Sequence, residues 1–79
     1  MWSKGTIEVP QKNGSNITCK YFVKHYEEGS EWGINGGRIS KLEIRTNGKI
    51  TANYDRGWDI EPKDKATKLA LSILLKDFN

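Results

Sequence analysis

A chain of 79 residues can form one small domain but not two, and at this size it has only a thin core. The 13 lysines and arginines outnumber the 10 acidic residues and give a net charge of +3, which suits an anionic partner without forming a charged tail. A single cysteine excludes an internal disulfide framework, and no apolar run reaches the length of a signal peptide or a membrane span, so we expect one cytoplasmic domain over residues 1–79.

The first third of the chain predicts a β-hairpin. Residues 6–9 form a short β-prone run that Pro10 closes, and residues 11–16 contain an Asn-Gly turn signal. Residues 17–26 are rich in β-branched and aromatic side chains and predict a long second strand.

A glycine-rich loop follows. Residues 29–37 hold four of the eight glycines but match no dinucleotide-binding or P-loop fingerprint, so this loop is not a phosphate cradle of a known type. Trp32 and Ile34 are apolar side chains on it. Either they fold back to cap the core or they anchor a partner.

Two further strands are predicted over residues 38–46 and 49–55. The Asn47-Gly48 pair between them is a strong signal for a two-residue hairpin. Such a turn sets the register, with Thr46 facing Lys49.

The last segment predicts a helix that begins at Pro62, with Asp64 favouring the positive end of its dipole. The apolar positions that repeat at helical spacing are Ala66, Leu69, Ala70, Leu71, Ile73, Leu74, Leu75 and Phe78. The predicted fold is therefore α+β, a four-stranded antiparallel sheet with one C-terminal helix packed on one face (β-β-β-β-α).

Strand alternation assigns side chains to the two faces of this sheet. The face under the helix is expected to carry Ile17, Cys19, Tyr21, Val23, Leu42, Ile44, Ile50, Ala52 and Tyr54. The opposite face is expected to carry Lys20, Phe22, Lys24, Tyr26, Lys41, Glu43, Arg45, Lys49, Thr51 and Asn53. Basic and aromatic groups interleave there, as phosphates and bases require, although such groups also cover ordinary solvated sheets.

The sequence gives little support for a catalytic or a metal-binding site. His25 and Cys19 are six residues apart on one predicted strand, about 20 Å, which excludes a dyad and a shared metal. Asp55, Asp59 and Glu61 offer carboxylates, but so small a chain is not expected to enclose a substrate cleft. We therefore expect no enzymatic activity, no metal and no cofactor.

The run NYDRGWDIEP, residues 53–62, is either an active site or a corner of the fold, and the corner is favoured. Tyr54 is expected to face the core, Gly57 to permit a sharp turn, and Trp58 to fill the open end between sheet and helix. Asp55, Arg56 and Asp59 are expected to satisfy local backbone groups and one another.

The stretches YFVKHYEEGSEWGINGGRISKLEIR and NGKITANYDRGWDIEP resemble a family of small uncharacterised proteins carried by phages and other mobile elements of Gram-positive bacteria. The resemblance runs over residues 5–79, and the NYDRGWD motif is its most specific part. It implies an accessory protein, and such proteins commonly bind nucleic acid or disable a host protein. It assigns no functional residues.

Together these observations predict a non-enzymatic binding module that contacts nucleic acid or an acidic surface, without a membrane or a small-molecule cofactor. The side chains expected to bind are Lys20, Phe22, Lys24, Tyr26, Lys41, Arg45 and Lys49. The alternative is a protein-directed inhibitor of a host factor, such as an anti-CRISPR-like inhibitor of a defence complex, that binds through Trp32 and Ile34.

Overall fold

Each strand of the sheet pairs antiparallel with the next strand along the chain, so five strands form a meander in the order β1-β2-β3-β4-β5. The computed structural model describes residues 1–79. Its elements are β1 (Trp2–Pro10), β2 (Asn16–His25), a 3₁₀ turn (Ile34–Gly36), β3 (Ile39–Thr46), β4 (Lys49–Asp55), β5 (Trp58–Ile60) and α1 (Lys65–Phe78). The fold is α+β, an antiparallel sheet with one C-terminal helix.

The predicted strand number is wrong, because the sheet has five strands rather than four. The added strand, β5, has only three residues, too few to show a period of two in the sequence. It forms because the chain turns back at once after β4 and sets Trp58 opposite Tyr54. The first strand is also longer than predicted, since β1 pairs with β2 from Trp2 to Pro10.

The hairpin between β3 and β4 confirms the prediction from the Asn-Gly pair. Asn47 and Gly48 have φ angles of 52° and 79°, the left-handed values that a two-residue hairpin of this hand requires. Thr46 and Lys49 are directly paired across it.

A bulge in β4 corrects the facing predicted for that strand. Ala52 pairs with Ile44 but Ile50 pairs with Arg45, so Thr51 is the extra residue. Ile50 consequently lies on the side away from the helix and is 39% exposed. Thr51 turns towards α1 instead, and its Oγ1 lies 2.8 Å from Oγ1 of the buried Thr67.

The helix begins later than predicted. Pro62 precedes it, and Asp64 is its N-cap, where a carboxylate oxygen accepts a 2.8 Å hydrogen bond from the amide of Thr67. The buried helix positions are Ala66, Thr67, Ala70 and Leu74. Leu69 was predicted to belong to the apolar stripe of the helix, but its side chain is 45% exposed.

The core lies between α1 and the face of the sheet that it covers. Its buried apolar members are Val9, Cys19, Val23, Ile34, Ile39, Leu42, Ile44, Ala52, Tyr54, Ala66, Ala70 and Leu74. Ile17 and Tyr21 pack against them, so the facing predicted for β2 and β3 is confirmed. No helix here combines the length with the apolar character that crossing a bilayer requires.

The two apolar side chains of the glycine-rich loop differ in burial. Ile34 is 2% exposed and joins the core, whereas Trp32 is 57% exposed. Asn79 holds the loop in place, since its Nδ2 donates to the carbonyl oxygen of Ile34 at 3.1 Å and its Oδ1 accepts from the amide of Ile39 at 2.9 Å. Gly37 lies so close to this amide group that a Cβ there would collide with it.

The corner between β4 and β5 confirms the core positions predicted for Tyr54 and Trp58 but corrects the role predicted for Gly57. Arg56, with a φ angle of 59°, occupies the left-handed region, and Gly57 does not. Trp58 packs edge-on against Tyr54, with ring centroids 5.1 Å apart, and lies half-buried against the core. Asp55 pairs with Lys41 of β3 rather than with its neighbours in the corner.

Candidate functional site

The sheet face opposite the helix, called the outer face below, is ordered in rows that run across the strands. One row is Trp2, Lys24, Lys41 and Asp55; the next is Lys4, Phe22, Glu43 and Asn53; the third is Thr6, Lys20, Arg45 and Ile50. Because directly paired residues point to the same side of a sheet, each row brings together side chains that are distant in sequence.

The positive charges of the outer face are only partly neutralised. Nε of Arg45 lies 2.7 Å from a carboxylate oxygen of Glu43, and Nζ of Lys41 lies 3.9 Å from Asp55. Lys20 and Lys24 have no carboxylate within ion-pair distance and are free to meet an anion.

Aromatic rings lie beside these free lysines. Nζ of Lys20 is 5.6 Å from the ring centroid of Phe22, and Nζ of Lys24 is 5.8 Å from that of Trp2 and 5.7 Å from that of Tyr26. These are cation–π distances. A hydrogen bond with Lys24 lowers the pKa of the Tyr26 hydroxyl, which places this ring in a cationic environment.

An open depression of about 380 Å³ lies in the middle of the outer face. The side chains that line this central depression include Trp2, Phe22, Lys41, Glu43, Arg45, Asn53 and Asp55. Rings form part of its wall, and the amide of Asn53 offers both a donor and an acceptor.

A second depression of about 230 Å³, called the end pocket below, lies where the glycine-rich loop meets the outer face. Its lining residues are Lys24, Tyr26, Ser30, Trp32, Ser40, Lys41 and Arg56. The lining combines three cations, two aromatic residues and two hydroxyls and includes no carboxylate.

One family model, described as Domain of unknown function (DUF7678), matches residues 1–79. The chain belongs to this family. Neither a curated protein nor a solved structure matches this chain. The DUF7678 match includes both depressions of the outer face.

In this DUF7678 chain the predicted binding residues are mostly brought together. Lys20, Phe22, Lys24, Lys41 and Arg45 occupy the outer face, with Tyr26 immediately after β2. Trp32 joins them in the end pocket.

Two predicted binding residues lie elsewhere. Lys49 pairs with Thr46, which in turn pairs with the buried Cys19, so the bulge removes this lysine from the rows of the outer face. Ile34 is enclosed in the core. Of the two roles left open for the loop, Ile34 therefore caps the core while Trp32 remains accessible.

Sequence reasoning missed three aromatic or cationic groups of the site: Trp2, Lys4 and Arg56. The first two alternate with core-facing residues of β1, and the period-two pattern of WSKGTIEV is the signal that could have found them. No local pattern marks Arg56, because its neighbours in the end pocket come from other strands and the loop.

The remaining reactive side chains are held in structural positions. Cys19 is buried, which raises the pKa of its thiol, and Nε2 of His25 lies 3.0 Å from the hydroxyl oxygen of Ser3. Asp55 lines the central depression, whereas Glu61 lines a separate one beside α1. No three potential metal ligands cluster anywhere in the chain.

Proposed function

We propose that this protein is a non-enzymatic module that binds single-stranded nucleic acid through its outer face. The observation that carries the proposal is the set of cross-strand rows, which bring free lysines beside aromatic rings on one accessible surface. Lysines neutralise phosphates, and rings provide surfaces on which bases of any sequence stack.

The charges of the outer face divide it between the two parts of a nucleotide. Glu43 lies in the central depression and disfavours a phosphate there, while the rings and the amide of Asn53 suit a base. Lys4 and Lys20 are exposed on the neighbouring strands β1 and β2, at one side of this depression, and suit phosphates there.

The width of the sheet favours single strands over duplex DNA. Five strands spaced about 4.8 Å apart make a surface about 19 Å wide. The major groove of B-DNA is about 12 Å wide and admits a two-stranded ribbon at most. The outer face cannot enter such a groove, whereas unpaired bases can lie flat on it.

Binding is tested by fluorescence anisotropy with labelled single-stranded and duplex oligonucleotides of the same sequence. We expect tighter binding of the single strand, and a slope of log K against log salt of about −2 to −3, as three or four phosphate contacts predict. The variant Lys4→Glu/Lys20→Glu removes two free cations of the outer face and should weaken binding at least tenfold.

A matched control is Lys65→Glu/Lys68→Glu, which changes the net charge equally but on exposed positions of α1. Near a helix N-terminus this change is tolerated. The control should bind as the wild-type protein does, with circular dichroism confirming that both variants fold. Equal loss in the two variants, or no binding of single strands by the wild type, would contradict the proposal.

A second candidate function is protein-directed inhibition of a host factor, and the accessibility of Trp32 favours it. Exposed tryptophans are frequent anchors in protein interfaces. Binding of this kind would persist at high salt and be lost in Trp32→Ala. Either activity suits an accessory protein of a phage or mobile element, the origin that the resemblance in NYDRGWD implies.

A further inference from the structure

The end pocket is assembled from four separate parts of the chain. Lys24 and Tyr26 come from the end of β2, and Ser40 and Lys41 from the start of β3. The hydroxyl of Ser40 donates to the carbonyl oxygen of Lys24 at 3.4 Å and so joins these two strands.

The glycine-rich loop closes one side of the end pocket. Ser30 and Trp32 contribute its wall, and the carbonyl oxygen of Trp32 accepts a 2.9 Å hydrogen bond from the hydroxyl of Tyr54. The amide of Ser30 donates to Gly37 at 3.1 Å within the loop. Because residues of the outer face and of the loop line the same space, the end pocket lies at the limit of the outer face.

Arg56 is held at this pocket by an unusual backbone conformation. Its φ angle of 59° is unfavourable for an arginine, although Gly57 beside it could adopt such an angle freely. Its amide donates a 3.2 Å hydrogen bond to the carbonyl oxygen of Ser40, and its side chain forms no ion pair. A strained residue that presents an unpaired guanidinium to a cavity is a mark of a functional position.

The charge of the end pocket specifies an anion. Lys24, Lys41 and Arg56 line a space that no carboxylate lines, and the hydroxyl of Ser30 adds a hydrogen-bond donor. This differs from the central depression, where carboxylates are present. Lys41 also pairs with Asp55 at 3.9 Å, whereas Lys24 and Arg56 form no ion pair. The rings of Tyr26 and Trp32 give the end pocket a surface for a flat group beside the anion.

We propose that the end pocket binds the terminal phosphate monoester of a single-stranded nucleic acid, with the adjoining base against the aromatic rings. This inference rests on the proposed function of the outer face. A terminal phosphate carries almost two negative charges near neutral pH, whereas an internal phosphodiester carries one. The two unpaired cations of the end pocket, Lys24 and Arg56, therefore favour the end of a strand over its interior.

The size of the end pocket agrees with this occupant. Its volume of about 230 Å³ lies below the roughly 300 Å³ at which sites for whole drug-sized ligands begin. A phosphate group and the edge of a ring fit such a space, while the rest of the strand lies over the outer face.

The test compares three oligothymidylates of about ten nucleotides with an internal fluorophore: unphosphorylated, 5′-phosphorylated and 3′-phosphorylated. We expect one terminal phosphate to raise the affinity by about tenfold or more, the gain of roughly one charge-assisted hydrogen bond. The end that shows the gain defines the polarity of the bound strand. Arg56→Asn should abolish the gain, and asparagine tolerates a positive φ, so folding is retained.

Lys20→Gln is the matched control, since Lys20 lies on the outer face but not in the end pocket. It should weaken binding of all three oligonucleotides while keeping the ratio between phosphorylated and unphosphorylated strands. Equal affinity of the wild-type protein for all three strands overturns the terminal-phosphate inference and leaves the proposed function intact. Failure of all three strands to bind overturns both.

Discussion

The hydroxyl of Tyr54 donates a 2.9 Å hydrogen bond to the carbonyl oxygen of Trp32 and thereby ties the glycine-rich loop to β4. One partner is 7% exposed and belongs to the core, while the other presents a 57% exposed indole. The bond thus connects the packed interior directly with the wall of the end pocket.

Tyr54→Phe removes this bond alone. We expect the free energy of unfolding to fall by about 1 kcal/mol, the net value of one hydrogen bond, and the amides of residues 30–37 to exchange hydrogen faster. Hydrogen exchange measured by mass spectrometry checks both. Tyr21→Phe is the control, because the Tyr21 ring packs over Gly5 rather than against the loop. Similar exchange in the two variants would show that the bond does not hold the loop.

Trp58→Ala tests the corner between β4 and β5. Trp58 packs against Tyr54 and the core but is half-buried, so we expect a loss of about 3 kcal/mol, at the lower end for truncating an aromatic side chain. Urea denaturation measures the loss. Trp32→Ala deletes the same indole from an exposed position and should change stability by less than about 0.5 kcal/mol. A Trp58 variant as stable as the Trp32 variant would assign Trp58 a role outside the core.

Asp64 makes the stability of the protein sensitive to acid. Burial opposes ionisation of its carboxyl, but hydrogen bonds from the amide and hydroxyl of Thr67 and from nearby backbone amides outweigh this and lower its pKa. A lowered carboxyl pKa stabilises the folded state above the ordinary value near 3.8, and this contribution is lost as the pH falls through the folded-state pKa.

Asp64→Ala should therefore cost about 1 to 2 kcal/mol at pH 7, as loss of a helix N-cap does. Asp64→Asn keeps a good capping group without the charge and should cost much less at that pH. Thermal unfolding between pH 7 and pH 2 checks this, with a shallower loss of stability below pH 4 expected for the asparagine variant. An unchanged acid profile would assign the acid sensitivity to other carboxylates.

Arg56→Gly tests the strain at the end pocket. Glycine adopts the positive φ without the steric strain that costs arginine about 1 to 2 kcal/mol there. It also raises the conformational entropy of the unfolded chain, which lowers stability by about 0.4 to 1 kcal/mol. We expect a net gain of up to about 1.5 kcal/mol, or several degrees in Tm. Arg56→Ala also lacks the guanidinium but retains the Cβ and the strain, so it should show no gain. Equal stability of the two variants would mean that the left-handed backbone carries no strain.

Local patterns in the sequence were sufficient for much of this fold. Period-two alternation correctly placed Cys19 and Val23 in the core and Lys20 and Lys24 on the opposite face. The Asn-Gly pair determined the β3–β4 hairpin because few other residues adopt two successive positive φ angles. These features depend on the residues of one strand or one turn, so the sequence alone specifies them.

The tertiary structure decided the rest. The bulge at Thr51 accompanies its contact with Thr67 of the helix, and it reverses the facing of Ile50 in a way that alternation cannot anticipate. The end pocket exists only because β2, β3, the glycine-rich loop and the β4–β5 corner meet at one end of the sheet. Lys24 and Arg56 are 32 positions apart in the sequence. Local preferences determine on which side of a strand each residue lies. Strand register and the anchoring of the loop determine that Lys24 and Arg56 line the same cavity.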